Sequence, residues 1–282
     1  MPMISTMPPD PSELLKTIVE LRPFPVVATR VMGLVSDERT SAQELARVLS
    51  ADQAMTAKLL KLSNSAEAGY AHRVRTVREA VVVLGFKQVR QIAFVTSVIS
   101  NFRLQRGARD WFDDDLFWLH NIEVAIAAET VAKHCHNVTP DEAFTAGILH
   151  DIGRLVMVQL FPQEWRNAHQ LHLTRGLLMR EAELRSIGYT HDAIGEALAR
   201  EWNFPEEISA AIGGHHSGNL TLQDGLAGIV ALCDRLALRN SEPEGPIERD
   251  LGEVDELCGG WPQVVDRSHA FIRSIERGTR AA

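Results

Sequence analysis

Apolar residues recur at spacings of three and four through nearly the whole 282-residue chain, and no run of alternating β-branched residues bounded by hairpin turns breaks the pattern. A chain with that single period buries its apolar stripes by packing helix on helix, so the expected fold is all-α. Proline and glycine cut the pattern into short pieces. A helix over 12–21 is stopped by Pro23 and Pro25, a second covers 26–36, Gly85 ends a helix opened at Thr76, and another runs over 87–100. Two hydroxyl-x-x-carboxylate boxes, Ser41 with Glu44 and Thr76 with Glu79, mark helix starts, and Asp52 opens the stretch 54–63.

A polar run over 103–115 separates two helical lobes. The expected organisation is a disordered arm at 1–11 and a domain over 12–240, followed by a helical extension over 241–282 whose first residues, 241–246, form a linker. Within the domain an N-terminal helical lobe, 12–105, packs on a helical bundle, 116–240. The bundle helices are expected at 116–135, 141–160, 176–187, 191–202, 205–213 and 222–239. The most apolar stretch, 80–99, is interrupted by Lys87, Gln88, Arg90 and Gln91, and the first residues carry neither a basic nor an apolar leader segment. No membrane partner is therefore expected. The cysteines, Cys135, Cys233 and Cys258, have no CxxC spacing, which fits a reducing cytoplasm and excludes a thiolate zinc site.

A net charge of −8 argues against whole-surface attraction to nucleic acid. The stretch 41–65 has the outline of a helix-turn-helix, but its local charge is close to neutral, so nucleic acid is not an expected partner. The following segment is more basic: His72, Arg73, Arg75 and Arg78, then Lys87 and Arg90. It reads either as a solvated face or as a place to dock an acidic partner or a nucleotide phosphate.

The informative residues are polar groups on apolar helix faces, because burying an imidazole or carboxylate without compensation costs several kcal/mol. His120 shares a stripe with Leu116, Phe117, Val124, Ala127 and Val131. His150 and Asp151 sit in the least polar part of the bundle, and His191 lies on a face with Ile194, Gly195 and Leu198. His215 and His216 continue the stripe of Ile208, Ala211 and Ile212, and Asp234 lies in an otherwise apolar helix with Val230 and Leu238. The other six histidines fall elsewhere; His134, on the stripe of His120, is roughly 21 Å along the helix from it. Two readings of the inward set stand. It is a buried polar network, or it is a nitrogen- and oxygen-donor set for one or two divalent ions, Fe, Mn, Zn or Mg. In the second reading Asp151 bridges two ions and His150 binds one, and a hydroxide between them could attack a phosphate in line.

In order, His120, His150-Asp151 and Asp234 resemble the signature of the HD superfamily of metal-dependent phosphohydrolases, and His191 with His215-His216 resembles the binuclear set of its HD-GYP branch. The wider sequence is similar to the HDOD domain, the HD-related output domain of bacterial signalling proteins. The similarity runs through Leu21-Arg-Pro-Phe-Pro25, Asp52 to Thr56, Leu84-Gly85, Phe117-Trp118-x-His120, Ala143 to Arg154, Glu183, Gly188, His191, Trp202 and Pro205. It implies an output module with a signalling protein as partner, and HDOD sites are often eroded, whereas this chain matches every ligand position of the binuclear set. The interval from His216 to Asp234 lacks Gly-Tyr-Pro, which argues against cyclic di-GMP as substrate, and Leu116 stands where trinuclear relatives place a glutamate. If the site is catalytic, Asp151 holds the ions and Arg154, on the helix face of His150, contacts a phosphate-containing small molecule; otherwise Arg154 is an ion pair fixing the helix end.

Overall fold

A computed structural model describes residues 23–36, 38–65, 73–104, 108, 111–241 and 249–277, so the arm at 1–11, the helix expected at 12–21 and the linker at 242–246 lie outside the described residues. The described chain is helical throughout, with no strand among the described residues. It divides into two compact units, one built from 24–103 and 266–282, the other from 104–265.

In the first unit the helices are α1 (Val26–Met32), α2 (Glu38–Ser50), α3 (Gln53–Ser63), α4 (Val77–Leu84) and α5 (Phe86–Asn101). Leu45, Leu49, Leu59, Ile92 and Val95 are fully buried and form its core. Asp52 caps α3 by accepting the Met55 N–H at 2.9 Å, and Thr76 caps α4 by accepting the Glu79 N–H at 3.1 Å, as the sequence predicts. Gly85, at φ +88°, turns the chain directly from α4 into α5. The box at Ser41 is not a helix start: α2 begins three residues earlier, since Glu38, Arg39 and Thr40 contain no breaker and the helix propagates through them.

In the second unit α6 (Asp114–Ala132) is buried nearly all round, the mark of a central helix. Around it come α7 (Pro140–Leu149), α8 (Ile152–Leu160), α9 (Pro162–Arg175), α10 (Met179–Ser186), α11 (His191–Glu201), α12 (Glu206–Gly214), α13 (Gly225–Ser241) and α14 (Arg249–Cys258), while α15 (Trp261–Arg277) straddles the division between the units. Two departures from the sequence reading matter. The single helix expected over 141–160 is broken at His150-Asp151 into α7 and α8. The helix α9 has no counterpart in the reading, because only its Trp165 and Ala168 are buried and its sequence carries no apolar stripe. Leu116 and Leu238, placed on inner faces by spacing, are 62% and 43% exposed. Their immediate neighbours Phe117 and Ala237 are buried, so the inner face runs through the adjacent position and these two leucines point outward.

Two glycines set the helix contacts that the site needs. A Cβ on Gly147 would lie 2.5 Å from the Ala125 Cα, so α7 can approach α6 only through glycine. A Cβ on Gly153 would strike the His191 carbonyl oxygen, so α8 and the start of α11 touch backbone to backbone there.

The first unit also carries a costly residue. Lys58 on α3 is only 4% exposed, its Nζ donates to Thr96 Oγ1 at 3.1 Å, and no carboxylate pairs with it among the described residues. Burial therefore pulls its pKa down from the usual lysine value to about 8. The unfolded chain binds this proton more tightly than the folded one, so stability contributed through Lys58 is lowest below pH 8 and recovers as pH rises from about 8 toward 10.5. Lys58→Met keeps the apolar stem and removes the charge. Urea midpoints across pH 6–10 should show the variant more stable than the wild type at pH 7, with the difference shrinking toward pH 10; a pH-independent difference would contradict the assignment.

Candidate metal centre

The break between α7 and α8 creates the centre. Helix α7 starts at a full capping box, with Thr139 accepting the Glu142 N–H, Glu142 returning to the Thr139 N–H, and Pro140 in the first turn. It ends at Leu149, and His150 and Asp151 form a two-residue turn before α8. Asp151 occupies the N-cap position of α8, where an aspartate ordinarily accepts a backbone N–H, yet its side chain makes no cap hydrogen bond. Both of its carboxylate oxygens are buried without a hydrogen-bond partner. They are surrounded by ion-pair contacts instead: Arg154 Nη1 at 2.8 Å and His191 Nε2 at 3.2 Å, with His215 Nε2 at 3.5 Å.

The remaining residues arrive from four helices or their ends. His120 comes from α6, His191 from the first position of α11, His215 and His216 from the end of α12, and Asp234 from the middle of α13. His120 Nε2 lies 3.1 Å from Asp234 Oδ1 and 3.3 Å from His150 Nε2, and His216 Nε2 lies 3.0 Å from His191 Nε2. All seven residues singled out from the sequence therefore meet in one place. Three overlapping groups have ligand atoms within 4.8 Å of one another: Asp151 with His191, His215 and His216; His120 with His150 and Asp151; and His150 with His215 and Asp234. Asp151 belongs to two of them. No cysteine takes part, and all three thiols are free.

The tautomers of three histidines follow from their outer contacts. His150 Nδ1 donates to the Gly147 carbonyl at 2.8 Å and His215 Nδ1 to the Ile212 carbonyl at 2.7 Å. His191 Nδ1 donates to the Glu183 carboxylate at 2.7 Å. A carbonyl or carboxylate can only accept, so Nδ1 of each ring carries a proton; where the ring is neutral its Nε2 lone pair turns toward the centre, and a ring protonated at Nε2 as well must give up that proton to take a metal. Glu183 also accepts the His191 backbone N–H at 3.0 Å. That one carboxylate fixes both the position and the orientation of His191, and it is fully buried on the otherwise polar α10.

Electrostatics keep the acids ionised. Burial opposes charge on Asp151, but Arg154, His150, His191 and His215 hold its carboxyl well below the usual carboxylate range. Asp234, also buried, is held low by His120 and His150. Burial and the adjacent rings of His215 and His191 push His216 down to about 3, and burial likewise lowers His215. For His191, burial and Arg154 act downward, but Glu183 and Asp151 outweigh them and raise it to about 9.

The donor set fits a divalent ion. Two buried carboxylates have oxygens without hydrogen bonds, His215 Nε2 is buried without a partner, and imidazole nitrogens face one another at distances that a shared cation would satisfy. Three members keep contact with solvent: the side chains of His120, His216 and Arg154 are 19%, 18% and 21% exposed, while Asp151, Asp234, His150, His191 and His215 are at most 2% exposed. The centre is therefore not sealed from water. Among the other described histidines, His134, His136, His169 and His269 are exposed, and His172 donates to the Leu177 carbonyl at 2.7 Å at the end of α9.

The HDOD family model matches residues 21–218, and the chain belongs to that family. A Shewanella amazonensis structure, provisionally named a phosphohydrolase, is 26% identical, covers 95% of this chain and 98% of its own, and superposes with a TM-score of 0.67. A Geobacter sulfurreducens HDOD protein of unknown function is 23% identical over 93% of this chain and 95% of its own, also at 0.67. A Marinobacter aquaeolei protein provisionally named for signal transduction is 22% identical, with a TM-score of 0.73, over 94% of this chain and 61% of its own. These two share the fold. A curated, uncharacterised Treponema pallidum protein is 25% identical over 207 residues, and the chain spans 38% of that protein's length. No single described helix is long and apolar enough to cross a membrane.

Glu183 is the residue that face analysis alone leaves without a role, since α10 is polar and offers no stripe to place it on. Its loss would free both N–H groups of His191. Glu183→Gln, which keeps the shape and removes the charge, should weaken metal retention about 10- to 100-fold in competition with a chelator, the range for loss of an outer-shell partner. Retention equal to the wild type would show that Glu183 does not position His191.

Proposed function

We propose that the protein is an HDOD-type signalling output protein that holds one or two divalent ions in the histidine–aspartate centre. The observation that carries this reading is Asp151, fully buried at a helix N-cap with neither oxygen hydrogen-bonded. Such a group costs about 1–3 kcal/mol or more when nothing satisfies it, and a cation shared by the two Asp151 groups described above would offset the cost. Asp151, His191, His215 and His216 would form one position, and His120, His150 and Asp151, with Asp234 beside them, the other. Five imidazoles with two carboxylates suit Fe, Mn or Zn better than Mg. The three free thiols fit a reducing compartment such as the cytoplasm, and the output would be read by a signalling protein partner.

A second reading, hydrolysis of a phosphate ester or nucleotide, is favoured by the partial exposure of the site. Divalent ions bound there would supply Lewis acidity toward a phosphoryl oxygen and an acidified water. The protein's own part would be Arg154, whose guanidinium lies against Asp151 on a side chain that is partly exposed, so that its planar donor fork could meet a phosphate at the centre. The buried imidazoles would hold the reacting groups fixed and exclude bulk water.

Metal analysis of protein purified without an affinity metal separates these readings from a purely structural polar core. About one to two equivalents of Fe, Mn or Zn are expected, lost in Asp151→Ala at unchanged helical circular dichroism. Substoichiometric metal that the substitution leaves unaltered would remove the metal reading. Turnover of bis(p-nitrophenyl) phosphate with added Mn or Fe, abolished by Asp151→Ala and reduced mainly through KM by Arg154→Ala, is expected of the enzyme. Full metal occupancy with no turnover on phosphodiesters or nucleotides would leave the signalling role and exclude hydrolysis.

A further inference from the structure

The first unit contains a concave pocket of about 680 Å³ lined by Leu60, Lys61, Asn64, Arg73, Val74 and Arg75. Its residues lie outside the metal centre and take no part in it. Three of the six carry positive charge, in a chain whose net charge is −8. That concentration is built by the backbone. Residues 73–75 are extended, so neighbouring side chains alternate in direction: Val74 is 3% exposed and faces the core, while Arg73 and Arg75 are both exposed on the other side.

Asn64, the C-cap of α3, anchors this strip. Its Nδ2 donates to the Val74 carbonyl at 2.8 Å, its Oδ1 accepts the Val74 N–H at 2.8 Å, and Nδ2 also reaches the Leu60 carbonyl at 2.7 Å. One amide thus ties the segment bearing the two arginines to the last turn of α3, which bears Lys61. The Glu79 carboxylate accepts the Arg75 backbone N–H at 2.8 Å as part of the α4 cap. Arg73 forms no ion pair among the described residues.

We propose that this pocket binds the phosphates of a nucleotide. Its volume falls in the range of small-molecule sites, and it lies open to solvent. Two guanidinium groups from one side and an ammonium from the other match a di- or triphosphate, with arginine forks binding phosphate oxygens in pairs. Leu60, half-buried at the same pocket, provides an apolar surface against which a base or ribose can rest. The site lies within one unit and is independent of metal at the histidine–aspartate centre.

The test is isothermal titration of the full chain with ATP, without divalent ions, alongside adenosine, inorganic phosphate and a short DNA duplex. ATP should bind with a Kd that rises at least tenfold in Arg73→Ala/Arg75→Ala and stays within twofold in Lys133→Ala, an exposed cation outside both sites. Both arginines are exposed, so the thermal midpoint should not move; the single variant Arg73→Glu provides a second reading and should also weaken binding at least tenfold. Adenosine should bind far more weakly than ATP. Equal ATP affinity in the wild type and both arginine variants would overturn the proposal. So would adenosine binding as tightly as ATP, phosphate alone binding as tightly as ATP, or duplex DNA displacing ATP at lower concentration.

Discussion

The architecture of the second unit depends on one unusual placement: a carboxylate at a helix N-cap that does not cap. An aspartate at an N-cap ordinarily accepts a backbone N–H, a bond worth about 1 kcal/mol in most helices. Here the side chain turns into the bundle, where it is ringed by His191, His215 and Arg154 at 2.8–3.5 Å but has no hydrogen bond of its own. Its charge is balanced by Arg154 and the imidazoles, and no backbone N–H caps it. A carboxylate placed in that way is positioned as a metal ligand would be.

The rest of the site is arranged around the turn that carries Asp151. Backbone contact through Gly153 brings the start of α11 against α8, so His191 arrives beside Asp151. Gly147 lets α7 lie close on α6, the helix that carries His120. Outer acceptors, two carbonyls and the Glu183 carboxylate, then settle which nitrogen of His150, His215 and His191 is protonated. Position comes from small residues at helix crossings, and chemistry comes from the second layer of hydrogen bonds. The partial exposure of His120, His216 and Arg154 is what distinguishes the centre from a sealed polar core.

The helical period was sufficient for the all-α fold and for the inward set, because imidazoles and carboxylates on apolar stripes must converge in a bundle interior. The same period could not reveal the turn at His150-Asp151. Both flanking segments are apolar, so the break is invisible to spacing and is set by packing around the two residues. Helix α9 and Glu183 were hidden for the opposite reason: each sits in a polar helix, where burial is decided by tertiary contact and not by a stripe. Leu116 and Leu238 mark the limit of face arithmetic, which misses by one position where the inner face runs.

The metal reading stands on the buried oxygens of Asp151 being metal ligands. Anomalous diffraction from a crystal grown with the metal that co-purifies, with data collected on either side of its absorption edge, addresses it directly. An anomalous peak is expected at about 2.0–2.2 Å from an Asp151 carboxylate oxygen and from at least two of the surrounding imidazole Nε2 atoms. A fully occupied water or a hydrogen bond from a neighbouring side chain at both oxygens, with no anomalous signal, would contradict it.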